Sequence, residues 1–384
     1  MCDLYAQQIR SYLDSQLPEM LSLLEDLVNR NTSSDFKEGI DQAGNLMAEA
    51  YRKLGFEIEI LQHHDCGNGV IARKKGNGKN ILLICHLDSV FPEGTARLKS
   101  FRIEGGKAMG NGVLDMKACL VGCLYAVKAL EALNIDNLPG LTVFMSGDEE
   151  KGSLAVLDAI QKEGRRSQWC LVTEGSRPGM AVVVQRKGNA FARITAHGRA
   201  AHAGNEPHVG RNAVVELALK AAKLNALNDF EKGTTVAITR MSGGTNRIII
   251  PEDAFMDVDM RFYTMEEWEK VHNTFIDILA APEIEGVTLR YDLTFNRPPL
   301  AQTPDTLLNV VKEASKELNM DFLTVRPGGV SDGNFVSAIG VPVVDGMGPA
   351  GGMMCSPEEF LEIDTMVPCA ARLALVIAKL GAAD

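Results

Sequence analysis

The heptapeptide Asn80-Ile-Leu-Leu-Ile-Cys-His86 (NILLICH) is a short apolar run that ends in an imidazole, with Asp88 two positions further on. Two later runs end in the same manner. Leu141-Thr-Val-Phe-Met-Ser146 leads through Gly147 into Asp148, Glu149 and Glu150, and Trp169-Cys-Leu-Val-Thr173 stops at Glu174. Helical patterns lie between these runs, at 116–134 and 153–163. Strands alternating with helices predict a mostly parallel sheet covered on both faces. Ligands bind outside the carboxyl ends of strands in such sheets, so these polar groups are expected to gather on one edge.

A chain of 384 residues is longer than one hydrophobic core usually supports, which implies two domains or a large insertion. Residues 4–30 read as one or two amphipathic helices broken near Pro18. The texture changes near residue 181. Val182–Thr195 and Thr234–Arg240 read as strands flanking a helix at 211–227, followed by a strand Ala254–Phe262, a helix at 265–280 and a strand at 287–295. The order β-α-β-β-α-β is the ferredoxin-like pattern of a small separate domain. Helix–strand alternation resumes after Asn296-Arg-Pro-Pro-Leu300. The expected organisation is therefore an α/β domain in two parts, 1–180 and 296–384, interrupted by an inserted α+β domain at 181–295.

The composition, 46% hydrophobic and 23% charged, is that of an ordinary globular chain. A net charge of −11 offers no basic footprint for nucleic acid. No apolar run approaches the roughly 18 residues needed to cross a membrane, and the N-terminus lacks a signal-like pattern, so a cytoplasmic protein is expected. The eight cysteines form neither a CxxC pair nor a disulfide-like framework. Cys119 and Cys123 fall at helical spacing among apolar residues, where core packing is the expected role and a metal clamp the competing one.

Asp115, in Met109-Gly-Asn-Gly-Val-Leu-Asp-Met-Lys117, adds a further carboxylate on a glycine-bearing loop that runs into a helix. Collecting several carboxylates is strongly unfavourable without a cation, which makes a bound metal the physical reason for the cluster. Imidazole and carboxylate both suit zinc, and two adjacent metals can together activate a water and polarise a carbonyl. Adjacent Glu149 and Glu150 can divide the work, one as a ligand and one as a proton carrier. Asp88 and His86 point the same way from an extended segment, so Asp88 is expected to fix the imidazole tautomer.

HLDSV at 86–90, GNGVLDMK at 110–117, GDEEKGS at 147–153, TEG at 173–175 and GRAAHAG at 198–204 together resemble the M20 family of metallopeptidases, and most closely its glutamate carboxypeptidase branch. The resemblance spans nearly the whole chain. It implies a zinc-peptidase-like domain carrying two zinc ions, with cobalt or manganese as alternatives, and an inserted domain through which the chain dimerises. By the same resemblance Asp115 holds both metals, His86 and Glu174 hold one, Glu150 holds the other, and Glu149 is the general base. His202 is expected to reach the partner subunit's active site and stabilise an oxyanion. Asn246 and Arg261 match positions that bind the substrate's carboxylate end, a task suited to the planar fork of arginine. A structural ion pair of Arg261 with Asp257 or Asp259 is the competing reading. Arg186 and Lys187 are further candidates for an acidic side chain, and Asp332 for an orienting group.

One position departs from the pattern. In Gly351-Gly-Met-Met-Cys-Ser-Pro-Glu-Glu-Phe360 the family's metal-binding histidine before the serine is Cys355, and no histidine follows His272. A thiolate ligates zinc at about 2.3 Å but is shorter than an imidazole and adds a negative charge. The site then stays dinuclear with Cys355 as ligand, holds one metal, or holds metal weakly and serves as a peptide-binding site. The favoured expectation is a hydrolase that cleaves a peptide or N-acyl amide bond and releases a C-terminal amino acid such as glutamate. Deacylation of N-acyl amino acids and dipeptide cleavage are the related alternatives.

Overall fold

A computed structural model describes residues 2–382, which divide into two compact units. The first comprises residues up to 185, 301–327 and 331 onward; the second comprises 186–300 and 328–330. These boundaries lie about five residues beyond the expected 181 and 295. Val182–Val183 pairs in parallel with Thr324–Val325 and so belongs to the first unit, while the last strand of the second unit continues to Arg297, opposite Asn189.

The first unit begins with α1 (Cys2–Asn29) and α2 (Lys37–Lys53), followed by β1 (Glu57–Leu61), β2 (Gly69–Lys74), β3 (Asn80–His86), α3 (Ala118–Ala132), β4 (Gly140–Ser146), α4 (Leu157–Arg165) and β5 (Trp169–Val172). Helix α1 is continuous through Pro18, contrary to the expected break. Ile9 and Leu13 before the proline, and Met20, Leu24 and Leu27 after it, are all buried in the same core, so packing outweighs the lost backbone bond.

The main sheet has the order β1-β2-β4-β3-β5, completed by the short strand Val343–Val344. Strands β4, β3, β5 and Val343–Val344 run parallel, whereas β1 and β2 pair antiparallel. The sheet is thus mixed, with the parallel part at the expected strands. NILLICH is buried along nearly its whole length, as a central strand covered on both faces must be. Its register fixes the site: His86 lies opposite Ser146, and Ile84 opposite Val172, so the three strand ends align.

Helix α3 is mostly apolar and mostly buried, Lys128 and Glu131 excepted, with Cys119 and Cys123 in the core. The stretch Ile363–Ala382 is long and apolar enough to cross a membrane, which corrects the expectation that no such run exists. Within its most apolar window 89% is buried, packed with α1 and α3, so its character is that of a core helix.

The second unit contains β6 (Gly188–His197), α5 (Ala213–Asn225), β7 (Thr235–Gly243), β8 (Asp253–Phe262), α6 (Met265–Leu279) and β9 (Thr288–Arg297). Its antiparallel sheet has the order β7-β8-β6-β9, which is the ferredoxin-like arrangement. The strand expected over Val182–Thr195 is two segments, Val182–Val183 and β6. Along β8, Ala254, Met256, Val258, Met260 and Phe262 are buried, while Asp253, Phe255, Asp257, Asp259 and Arg261 point to the other face. The buried set packs with Leu217 of α5 and Phe275 of α6.

Asn212 starts α5 by accepting the N–H groups of Val214 at 3.0 Å and Val215 at 3.1 Å. Asn212→Ala is expected to lower the unfolding free energy of this unit by about 1 kcal/mol, and Asn212→Asp to leave it nearly unchanged. Urea denaturation of the two variants checks this; equal midpoints would show that the cap contributes nothing.

Candidate metal centre

Strand register brings the polar groups together before any side chain is considered. Strand β3 presents His86, the segment after β4 presents Glu149 and Glu150, and the segment after β5 presents Glu174. Asp115 arrives from the Val113–Lys117 turn that leads into α3. The turn is entered through Gly112 at φ +63°, a conformation that glycine adopts without strain. After β4, Gly147 lies so close to Gly67 that a Cβ there would sit 2.5 Å from the Gly67 carbonyl oxygen.

His86 Nε2 lies 3.1 Å from Asp115 Oδ1 and 3.6 Å from Glu174 Oε1. One ligand atom each of His86, Asp115 and Glu150 falls within 4.8 Å of the others. The other oxygen of Asp115, Oδ2, is 3.3 Å from Cys355 Sγ. His86, Asp115, Glu150, Glu174 and Cys355 are therefore gathered in the first unit. His202, Asn246 and Arg261 belong to the second.

Electrostatics describe a site that suits a cation. Burial, followed by the neighbouring charges of Asp115 and Glu149, raises the Glu150 carboxyl to about 9. Burial and the charge of Asp115 raise Glu174 to about 8. Burial disfavours a charged His86, but its bonds to Asp115 and Asp88 and the nearby carboxylates outweigh this and raise its pKa. Burial is also the largest influence on Asp115, yet the His86 contact prevails and lowers it. Cys355 is exposed as a residue, and the partial desolvation of its sulfur and the charges of Asp115 and Glu150 push its thiol upward. Glu150 Oε1 is buried with no hydrogen-bond partner among the described residues. An unsatisfied buried carboxylate oxygen beside an imidazole, two further carboxylates and a thiol is a donor set that fits zinc.

Asp88 faces the imidazole and also holds the neighbouring loop. His86 Nδ1 approaches the Asp88 backbone oxygen at 3.0 Å and its carboxylate at 3.4 Å. The carboxylate also accepts the Glu149 N–H at 3.0 Å, the Glu150 N–H at 3.1 Å and the Ser34 hydroxyl at 2.8 Å. The Asp88 side chain thus lies against the imidazole and holds the loop carrying the two glutamates. Asp332 braces the same loop, accepting from Ser146 Oγ at 2.7 Å and from Ser153 Oγ. Ser34 and these serines escaped sequence reasoning, because a hydroxyl in a loop carries no pattern that distinguishes it.

In the second unit His202 is exposed, and its Nδ1 accepts the N–H groups of Gly204 and Asn205, both at 3.1 Å. That fixes Nε2 as the protonated, donating nitrogen. Asn246 is exposed and accepts the Ile248 N–H at 3.1 Å. Arg261 pairs bidentately with Asp259, at 2.9 and 3.1 Å, and donates to the Gly328 carbonyl at 2.8 Å. The competing reading of Arg261 as a structural ion pair is thus realised with Asp259, while Asp257 pairs with Arg193. Arg186 is buried and faces the Gly329 and Val330 carbonyls, and Lys187 lies over the Tyr263 ring.

The sequence profile of peptidase family M20/M25/M40 matches residues 82–379. The chain belongs to this family. Carboxypeptidase G2 from Pseudomonas sp. strain RS-16 is 28% identical over 376 residues, covering 95% of this chain and 90% of that protein. A succinyl-diaminopimelate desuccinylase from Pseudoalteromonas atlantica is 27% identical over 372 residues, covering 92% and 96% respectively. Among solved structures, a tripeptidase from Staphylococcus aureus shares the fold at a TM-score of 0.83 and 18% identity, covering 95% of this M20 chain and 98% of its own.

The raised carboxyls give a signed expectation. A carboxyl whose folded value exceeds its unfolded one stabilises the fold at low pH, and that stability is lost as pH rises through the folded value. Glu150 at about 9 and Glu174 at about 8, against an ordinary value of 4.5, place this loss between about pH 5 and 9 in the metal-free protein. A zinc ion held by these carboxylates would displace those protons, so the gain in Tm on adding zinc should widen from about pH 6 to about pH 8.5. Parallel melting curves with and without zinc over that range would contradict it.

Proposed function

We propose that this M20 chain is a dinuclear zinc hydrolase that cleaves a peptide or N-acyl amide bond and releases a C-terminal amino acid. The observation carrying this reading is the division of Asp115, with Oδ1 at 3.1 Å from His86 Nε2 and Oδ2 at 3.3 Å from Cys355 Sγ. One carboxylate thus faces two groups of donors. His86 and Glu174 would hold one ion, Glu150 and Cys355 the other, and Asp115 both. Zinc accepts imidazole, carboxylate and thiolate; cobalt and manganese are alternatives, with sulfur favouring cobalt over manganese.

When bound, such an ion pair polarises a carbonyl and acidifies a water. Glu149 takes the proton of the attacking water and returns it to the leaving amine. Asp88, by accepting the N–H groups of Glu149 and Glu150, keeps base and ligand in fixed relation. In a homodimer formed through the second unit, His202 would offer its Nε2–H to the developing oxyanion of the partner's site. Asn246 and Arg261 would receive the substrate carboxylate, which must compete with Asp259 for the Arg261 fork. Release of a terminal amino acid is supported by the likeness to carboxypeptidase G2. The likeness to a desuccinylase supports a second substrate class, N-acyl amino acids, in which the scissile amide also lies near a carboxylate.

The test is a panel of N-acyl amino acids and dipeptides presented to zinc-loaded protein. Turnover of at least one member is expected, and Glu149→Gln should reduce it by about 10²–10⁴-fold with metal content unchanged. A fully loaded protein that turns over no member would contradict the enzymatic reading. Cys355→His should alter metal stoichiometry or rate; identical values would remove Cys355 from the ligand set.

A further inference from the structure

Cys355 is followed by two adjacent acids, Glu358 and Glu359, which the structure treats unequally. Glu358 is exposed, whereas Glu359 is buried to 2% exposure. The buried carboxylate spans two loops. Its Oε1 accepts the N–H groups of Leu114 at 2.7 Å and Asp115 at 3.0 Å, and its Oε2 accepts the Cys355 N–H at 3.3 Å. Asp115 and Glu359 stand 244 positions apart in the chain, so these bonds, together with the Cys355 Sγ contact to Asp115 Oδ2, link the Asp115 turn directly to the Cys355 loop. Three N–H groups from the two loops converge on the oxygens of this one buried side chain, which makes it a tie between them.

The Cys355 loop needs such a tie. Cys355 and Met353 both lie in the left-handed region, at φ +60° and +56°. Residues with a Cβ rarely adopt this region, and they keep it only where their surroundings enforce it. In that conformation the Cys355 N–H meets Glu359 while its sulfur meets Asp115 Oδ2 at 3.3 Å. Relaxation of the loop to an extended backbone would break both contacts together.

We propose that Glu359 is the positioning residue of the metal centre, holding the Asp115 carboxylate and the Cys355 sulfur at the separation from which both ligate metal. It acts through these two residues and touches neither metal nor substrate. The proposal rests on the reading of Asp115 and Cys355 as ligands. A glutamine at this position keeps the shape but replaces one acceptor oxygen with an NH₂ group. That group would face a backbone N–H, so at least one loop is released.

The test uses the full chain, stripped of metal and titrated with Co²⁺ against a competing chelator, while the sulfur-to-cobalt charge-transfer absorption is followed. Glu359→Gln is expected to weaken the second cobalt by about 10–100-fold and to reduce the sulfur band. Glu358→Gln, altering only the exposed neighbour, should overlay the wild type. Wild-type affinity and band in Glu359→Gln would overturn the proposal. If the wild type itself shows no sulfur band, the ligand role of Cys355 fails. Cobalt affinity then decides the Glu359 claim for Asp115: a loss in Glu359→Gln upholds it and no loss overturns it. Should Glu359→Gln not fold, Glu359→Asp, which keeps the charge on a shorter side chain, is read by the same two measures.

Discussion

The structure is organised by the burial of Asp115, Glu150 and Glu174 around a single imidazole, His86. These side chains are brought to within a few ångströms by strand register and by one tight turn, in surroundings that raise Glu150 to about 9 and Glu174 to about 8. Backbone geometry therefore imposes an electrostatic cost that a divalent cation relieves. The bracing found around the cluster follows from that cost. Asp88 ties the Glu149–Glu150 segment to the end of β3, and Asp332 ties both sides of the same loop through Ser146 and Ser153. Buried carboxyls stay together only where their backbones cannot separate.

Much of this was legible in the sequence, and the reason is topological. An apolar run that ends in a ligand-type residue marks both a strand and the sheet edge where ligands bind, so His86, Glu150 and Glu174 could be placed on one edge from pattern alone. Asp115 was legible through its glycine-bearing loop. The ferredoxin-like unit was legible because its strands alternate cleanly, as β8 does. Side-chain partners were less so. Asp88 sits two residues from His86, which suggested an imidazole partner, but nothing in the sequence showed that its carboxylate also takes N–H groups about sixty residues away. Arg261 had two acidic neighbours of the right spacing, and only the pleat of β8 shows that Asp259 receives its fork. Pro18 read as a break because local propensity was visible and the shared core on both sides of it was not.

Cys355 is where this chain departs from its family's pattern, and the consequences are chemical. Although Cys355 is exposed, partial desolvation of its sulfur and the charges of Asp115 and Glu150 keep it a thiol that donates to Asp115. Metal coordination reverses that preference, since a coordinating thiol is deprotonated outright. A thiolate in place of an imidazole would make a metal centre there less positive by one unit, so the proposed hydrolysis would lean more on Glu149 as base and less on polarisation by the ions. A softer donor also moves the metal preference away from manganese.

Whether sulfur belongs to the metal centre is the central claim, and zinc-edge X-ray absorption of the loaded protein addresses it without reference to turnover. The expected spectrum holds a Zn–S shell at about 2.3 Å beside a nitrogen and oxygen shell at about 2.0–2.2 Å, with the sulfur shell absent from Cys355→Ser. A wild-type spectrum that needs only nitrogen and oxygen neighbours would contradict it.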